Sequence, residues 1–175
     1  MRKVFFMIAL SILLAVVSFA FAQAQAKIAV VNSQDVLEKS IEGKRVLNQL
    51  AEQDKKNQDQ LAKLDEEIRK LETRLNTQRL TLSEEALLQL NSDLTKKRTE
   101  RTRLSEDMAR DMQELQYRLY TRLQNELIPI IEQIGKEKGF DLILDLGRSG
   151  AVYVNPAIDI TEEVIKRYDA LKTKK

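Results

Sequence analysis

The sequence predicts a mainly α-helical protein in which a long antiparallel helical hairpin projects from a small base of β-strands. Three observations support this fold class. Leucine recurs at seven-residue intervals through the middle of the chain, and short β-branched runs lie near both ends. The 175 residues are also rich in charge (32%) but contain only 5 Gly and 2 Pro. Such a composition is typical of long exposed helices rather than of compact α/β enzymes.

Residues 1–26 are predicted to be a cleaved signal peptide. Arg2 and Lys3 precede an uncharged apolar stretch, and two Ala-x-Ala steps follow at residues 22–26. The alternative is a permanent membrane anchor, because about 18 apolar residues can just span a bilayer. We favour cleavage, which places the mature chain outside the cytoplasm. Losing two basic residues lowers Lys and Arg from 29 to 27, equal to the 27 Asp and Glu.

Residues 27–32 form a β-branched run that predicts a strand. A helical region with a strict seven-residue pattern follows, as in a coiled coil. Its apolar seam positions are Leu47, Leu50, Leu61, Leu64, Ile68, Leu71, Leu75 and Leu82. Asp54, Asn57 and Gln78 fall on the same seam, so parts of it are expected to pack loosely.

A second helix is predicted to begin near residue 81, because Thr81 and Glu84 have the spacing of a capping box. Pro129 is expected to kink or restart this helix, and Gly139 is expected to end it. Its apolar positions, with a stutter between the two methionines, are Leu87, Leu90, Leu94, Leu104, Met108, Met112, Leu115, Leu119, Leu123, Leu127 and Ile134.

Two helices joined by a short break either fold back as an antiparallel hairpin or continue as a rod. The hairpin is favoured because it places polar seam residues of both helices at comparable distances from the turn. Asp54 and Asn57 precede the turn, while Lys97 and Arg101 follow it. These two pairs are therefore expected to lie at similar heights along the hairpin.

Residues 140–146 predict a strand with Phe140, Leu142, Leu144 and Leu146 on one face. Asp141, Ile143 and Asp145 lie on the other face, which looks solvated. Residues 147–150 predict a turn and residues 151–155 a further strand, so the two strands are expected to form a β-hairpin. A terminal helix is predicted from Thr161.

This base is too small to form an independent core, since three short strands and one helix bury little apolar surface. Assembly of several chains around one shared core solves the problem. The alternative is that the strands pack only on the terminal helix of their own chain. The predicted interface residues are Ile28, Val30, Leu142, Leu144, Val152 and Val154.

The residue inventory argues against an enzyme. The chain has no His and no Cys, which excludes Ser-His-Asp triads, thiol nucleophiles, disulfides and the common zinc sites. Asp141 and Asp145 share a strand face, but a solvated pair is a better interpretation than acid/base catalysis or cation binding. We therefore predict no catalytic, cofactor or metal site.

A basic cluster lies within residues 69–103, a stretch with nine basic and five acidic side chains. One interpretation is electrostatic steering of acidic clients, an anionic membrane surface or lipopolysaccharide. The alternative is an ordinary solvated helix face. Nucleic-acid binding is disfavoured by the export signal and the zero net charge of the mature chain. The candidate steering residues are Lys96, Lys97, Arg98, Arg101 and Arg103.

The two ends of the mature chain resemble the Skp/OmpH family of periplasmic chaperones. The segments that carry the resemblance are KIAVVNSQDVLEKSIEGK (27–44), GFDLILD (139–145), GAVYV (150–154) and DITEEVI (159–165). The resemblance implies a homotrimer in which strands form a small barrel-like body and helical hairpins surround a cavity. Unfolded outer-membrane β-barrel proteins would be held there without ATP. The best-known members are strongly basic, whereas this mature chain is neutral.

On this interpretation residues 27–43 and 128–175 form the oligomerisation body, and residues 44–127 form the arm, with a turn near 80–83. The candidate client contacts are Leu104, Met108, Met112, Leu115 and Leu119. The alternative for these side chains is that they only hold the two helices together. The competing function is a structural coiled coil of the envelope, a spacer or adapter for a dedicated partner.

Overall fold

The computed structural model describes residues 26–173, which form a long two-helix arm on a small α/β base. The elements, in chain order, are strand β1 (Ile28–Val31), helices α1 (Ser33–Lys39), α2 (Ile41–Gln78) and α3 (Glu84–Lys138), strand β2 (Leu142–Asp145), the helical turn α4 (Leu146–Ser149), a 3-10 turn (Pro156–Ile158) and helix α5 (Thr161–Thr173). Strand β1 and helix α5 agree with the sequence-based prediction. Residues 1–25 of the predicted signal peptide lie outside the described residues. Within residues 26–173, no helix combines the length and apolarity that crossing a membrane requires.

The hairpin turn is shaped by local side-chain capping. Ser83 caps α3, and its hydroxyl accepts a hydrogen bond from the Ala86 N–H at 3.3 Å. The predicted cap at Thr81 is wrong, because the Thr81 hydroxyl instead donates to the Gln78 carbonyl at 3.0 Å. Residues 79–83 therefore close the end of α2 before α3 begins.

Helix α3 runs without a break through Pro129, so the predicted restart does not occur. Proline removes one backbone donor, but the neighbouring Leu127, Ile130 and Ile134 are buried in the core. Their packing maintains the helical path. The predicted stop at Gly139 is confirmed: this residue adopts φ 64° and ψ 42°, and the next N–H, of Phe140, donates to the Gly135 carbonyl at 3.0 Å.

The helical region after β1 is divided in two, which the apolar pattern did not resolve. Ser40 has extended backbone angles, and its side chain caps α2 by accepting from the Gly43 N–H at 3.0 Å. Helix α1 then folds back so closely that a Cβ on Gly43 would lie 2.1 Å from the Leu37 carbonyl oxygen. Only glycine fits this crossing.

The sheet contains two described strands, β1 and β2, which pair in parallel with Ile28 opposite Leu142. The predicted β-hairpin is therefore wrong. After β2, the Asp145 side chain accepts from the Gly147 N–H at 3.2 Å and starts helical turn α4. This turn directs the chain away from β2, and residues 151–155 form no strand.

The predicted faces of β2 are also revised. Ile143 packs against the core, whereas Leu142 and Leu144 are 47% and 38% exposed. The two carboxylates have structural roles. Asp141 accepts from the backbone N–H of Lys27 at 2.7 Å, and Asp145 accepts from the Ser33 hydroxyl at 2.8 Å. These hydrogen bonds link β2 to residues at both ends of β1. Residues 26–173 contain no acidic cluster suited to a metal ion.

The core lies where the base meets the first turns of the arm. It joins β1, α1 and α5 to the adjoining parts of α2 and α3. Its most deeply buried side chains are Ala29, Val36, Val46, Ile134, Val164 and Tyr168. Part of β1 thus packs with the terminal helix α5 of its own chain. The cluster extends along the arm only to Leu50 and Leu115.

The close crossing of α1 and α2 makes a direct prediction. Replacing Gly43 by Ala places a methyl group against the Leu37 carbonyl, so the helices must separate and the core around Val36 and Val46 must open. We expect a loss of more than about 2 kcal/mol in the free energy of unfolding, measured with urea. Lys44→Ala, on the exposed side of the same turn, is the control. Equal stability of the Gly43→Ala variant and the wild type would contradict this packing.

Candidate functional site

The arm is the part of the molecule most suited to binding another protein. We call residues 41–50 and 115–138 its root, because they reach the core, and residues 51–114 the outer arm. Helix α2 alone has 38 residues and is about 57 Å long at ~1.5 Å per residue. The outer arm consists of α2 and α3 only, so the sides of both helices that face away from the seam are open to solvent.

Four apolar side chains of the outer-arm seam are buried, namely Leu64, Leu90, Leu94 and Met108. The remaining predicted seam leucines of the outer arm are half-buried. Near the root the α2 side of the seam is polar, and the Gln53 amide donates to Asn57 at 2.9 Å. The outer arm is therefore held by a thin apolar seam.

Three ion pairs cross between the helices of the outer arm, and we call them the ion-pair ladder. They are Asp65–Arg101 at 2.9 Å, Glu67–Lys97 at 2.8 Å and Glu72–Arg98 at 2.5 Å. The predicted matching of Lys97 and Arg101 with the heights of Asp54 and Asn57 is thus wrong. The acids that they meet, Glu67 and Asp65, lie about two to four helical turns nearer the arm tip.

The ladder changes the interpretation of the predicted steering cluster. Hydrogen bonding by Arg101 lowers the pKa of Asp65, and hydrogen bonding by Lys97 lowers the pKa of Glu67. Lys96 lies 4.0 Å from Asp93 on its own helix. Arg103 forms no ion pair with any residue in the described part of the chain and is exposed. Most of the cluster's charge is therefore already balanced within the arm.

The predicted client contacts divide into two groups. Met108 and Leu119 are 9% and 4% exposed, so they pack inside the arm and offer little surface to a partner. This outcome follows from their seam positions, because the two helices cover them. Leu104, Met112 and Leu115 are half-buried and keep one side open.

A second apolar stripe follows the root of α3, outside the seam. Tyr117 is 74% and Ile128 43% exposed, while Tyr120 and Ile131 are half-buried. Tyr120, Ile128 and Ile131 line a groove of about 360 Å³ between α1 and α3. Sequence reasoning missed this stripe, although spacings of three and eight residues place its members on one helix face.

A polar network joins the arm root to α5. The Glu42 side chain is 6% exposed and pairs with the Arg122 guanidinium at 2.6 Å. The Tyr168 hydroxyl donates to Glu126 at 2.5 Å, and the Lys172 ammonium approaches the same carboxylate at 2.7 Å. The Glu42–Arg122 pair therefore links α2 to α3, and the contacts of Glu126 link α3 to α5.

These contacts shift two pKa values in opposite directions. Burial raises the pKa of Tyr168, and the hydrogen bond to Glu126 raises it further. Burial alone would raise the pKa of Glu126, but hydrogen bonds from Lys172 and Tyr168 outweigh it and lower the pKa. The tyrosine is therefore neutral and the carboxylate ionised at neutral pH.

The sheet exposes an apolar face on the base. Ile28, Leu142 and Leu144 are each more than one-third exposed, and Val152 is fully exposed beyond β2. Val154 is half-buried. Val30, predicted to share this surface, is only 3% exposed. Residues 159–160 run beside it in a parallel bridge, and the Ile160 N–H donates to the Val30 carbonyl at 2.9 Å.

Comparison with known proteins finds a family model, described as "Outer membrane protein (OmpH-like)", that matches residues 27–168. Among solved structures, the chain is similar to a candidate outer membrane chaperone (OmpH-like) from Caulobacter crescentus CB15, with a TM-score of 0.74. The two are 22% identical, and the similarity covers 86% of this chain and 88% of that chain. This structural similarity establishes a shared fold. Comparison with curated sequences finds no significant match.

The root network predicts how acid affects stability. Folding lowers the pKa of Glu126 below its ordinary value of 4.5, so the ionised carboxylate stabilises the folded protein at pH values above 4.5. This contribution disappears as the pH falls through the lowered pKa. Glu126→Gln should therefore lower the thermal midpoint at pH 7, and the difference from wild type should shrink below about pH 4.5. Thermal unfolding followed by circular dichroism at pH 7 to 3 measures this. Glu114→Gln, at an exposed residue of α3, is the control, and a pH-independent difference would contradict the assignment.

Proposed function

Because the chain belongs to the OmpH-like family of outer membrane proteins, we propose that it is an ATP-independent periplasmic holdase. It would bind unfolded outer-membrane β-barrel proteins along its arms and prevent their aggregation. The observation that carries this proposal is the apolar surface left open along α3 of a long arm, from Leu104 to Ile131. Residues 1–26 would direct export, and residues 27–43 with 128–175 would form the body.

The proposed clients explain why an open surface suits the task better than a pocket. An unfolded β-barrel protein exposes alternating apolar strands and free strand edges, which aggregate. Many shallow contacts along an arm hold such a chain in any register and still allow release. Methionine and tyrosine are suited to this use, since methionine adapts its shape and tyrosine combines an apolar ring with a hydroxyl.

The contact surface that we propose differs from the sequence-based set. Leu104, Met112 and Leu115 remain members because one side of each is open, and Tyr117 and Tyr120 join them. Met108 and Leu119 are left out because they are buried in the arm. Steering of acidic clients, an anionic membrane or lipopolysaccharide would depend on basic side chains outside the ladder, chiefly Arg103 and Lys96.

We also propose that the chain assembles into a homotrimer through its base, as its family resemblance implies. The exposed face of Ile28, Leu142 and Leu144 supports this proposal, together with the exposed segment 151–155. Strand β2 has no second neighbour among the described strands, so a strand from another copy has an edge to join. Closing such edges would form the barrel-like body.

Client binding is tested by diluting a urea-unfolded porin into buffer and following its aggregation by light scattering. We expect the wild type to suppress aggregation without nucleotide. The double variant Met112→Gln/Tyr117→Asn should bind about tenfold more weakly, since it loses on the order of 1–2 kcal/mol of apolar contact.

Leu171→Gln is the matched control, because this residue is also exposed but lies on α5 of the base. A protein that fails to suppress aggregation in its wild-type form would instead fit the spacer or adapter role. Equal holding by the wild type and the arm variant would exclude the proposed contact surface.

Assembly is tested by the native mass of the protein. Leu144→Asp places a carboxylate on the exposed sheet face, where burial between copies would cost several kcal/mol, so we expect loss of the trimer in multi-angle light scattering. Leu88→Asp, on the exposed side of the arm, should leave the mass unchanged. A monomeric wild type would contradict the proposal.

A further inference from the structure

The outer arm lacks the packing that fixes the rest of the molecule. The core cluster ends at Leu50 and Leu115, and no helix or strand packs against α2 and α3 beyond that point in residues 26–173. Polar residues such as Gln53 and Asn57 occupy part of the seam. Whatever selects one arrangement of the outer arm must therefore lie within its two helices.

The leucine pattern alone does not select one arrangement. Because seam leucines recur every seven residues, sliding one helix by seven residues again brings leucines together. Such a slip would move the turn by only about three or four residues along the chain, because one helix lengthens and the other shortens by about half of the seven residues. Each register thus offers a similar apolar seam.

The charges do distinguish the registers. Sliding the basic ladder residues by one heptad towards the arm tip would place Lys97 opposite Arg74 and Arg98 opposite Arg79. Only Arg101 would still lie opposite an acid, Glu72. Like charges at such positions are the usual means by which coiled coils exclude a register.

Sliding in the other direction is unfavourable for a different reason. Arg101 would then face Gln58 and Lys97 would face Gln60, so two of the three ion pairs would be lost. The observed register is the one among these three in which all basic ladder residues meet an acid. Exposed pairs are individually weak, so the discrimination comes from the set of three.

We propose that the ion-pair ladder is a latch that closes the outer arm in a single helix register. Its basic residues serve this closure rather than the attraction of anionic partners. This role is independent of client binding and of the proposed assembly.

The test measures the distance between spin labels on the two helices. The chain has no cysteine, so Gln60→Cys and Thr102→Cys, both at exposed positions, provide unique attachment sites. Labelled chains are diluted into unlabelled chains of the same variant, so that only distances within one chain contribute. A slip of one heptad displaces the helices by about 10 Å along their axes, well within the resolution of pulsed dipolar spectroscopy.

Three variants are compared with the wild type, which should give one narrow distance. The ladder reversal Lys97→Glu/Arg98→Glu/Arg101→Glu should add longer distances or broaden the distribution. Adding Asp65→Lys, Glu67→Lys and Glu72→Lys should restore the narrow distance. The control Lys96→Glu/Arg103→Glu/Arg110→Glu changes the net charge equally but leaves the ladder intact, so it should resemble the wild type.

The outcome decides between a latch and a general charge effect. An unchanged distance in the ladder reversal would overturn the proposal, as would equal broadening in the control. Should the ladder reversal fail to fold by circular dichroism, the compensated variant decides. Its return to a folded arm with the wild-type distance supports the latch, and its failure overturns it.

Discussion

Packing of α5 against the roots of α2 and α3 is the interaction on which the rest of the structure depends. Tyr168 and Val164 of α5 meet Val46 and Ile134 of the arm, and all four are at most 1% exposed. Here β1, α1 and both arm helices share one core, so the direction in which the arm leaves the base is fixed at this point. Beyond Leu50 and Leu115, the two arm helices extend from this core and, within the described residues, pack only against each other.

The root and the outer arm are stabilised by different interactions. In the root, apolar burial is combined with the nearly buried carboxylate of Glu42, which pairs with Arg122 at 2.6 Å and with Arg45 at 3.4 Å. Removing these partners would leave a buried charge uncompensated. In the outer arm the ion pairs are exposed and each contributes little. The root therefore provides stability, whereas the outer arm provides length and accessible surface.

Much of the helical architecture is predictable because its causes are local. The seven-residue repeat, the break between the two arm helices and the left-handed Gly139 are each specified within a few residues. The sheet is different, since parallel pairing of β1 and β2 depends on segments at opposite ends of the chain. Residues 151–155 have a strand-like pattern, but no partner within residues 26–173 lies beside them, and α4 leads them away.

The candidate site shows the same limit. The basic cluster was visible in the sequence, but its partners Asp65, Glu67 and Glu72 lie on the other helix and become neighbours only once the register is known. Seam periodicity identified Met108 and Leu119 as apolar positions without showing that the hairpin itself covers them. Tyr117 lies on a neighbouring face of α3, outside the seven-residue pattern, so seam periodicity does not indicate it.

The parallel pairing of the two strands has a consequence for the order of folding. The Lys27 backbone N–H donates to Asp141, 114 positions later in the chain, and the whole arm lies between the two strands. An extending chain can form the hairpin early from neighbouring segments, whereas the sheet has to wait until β2 has been synthesised. Contacts between such distant segments form slowly, because a long loop must first be closed. The arm is therefore expected to be in place before the base that supports it, and any surface that joins one copy to another is completed last.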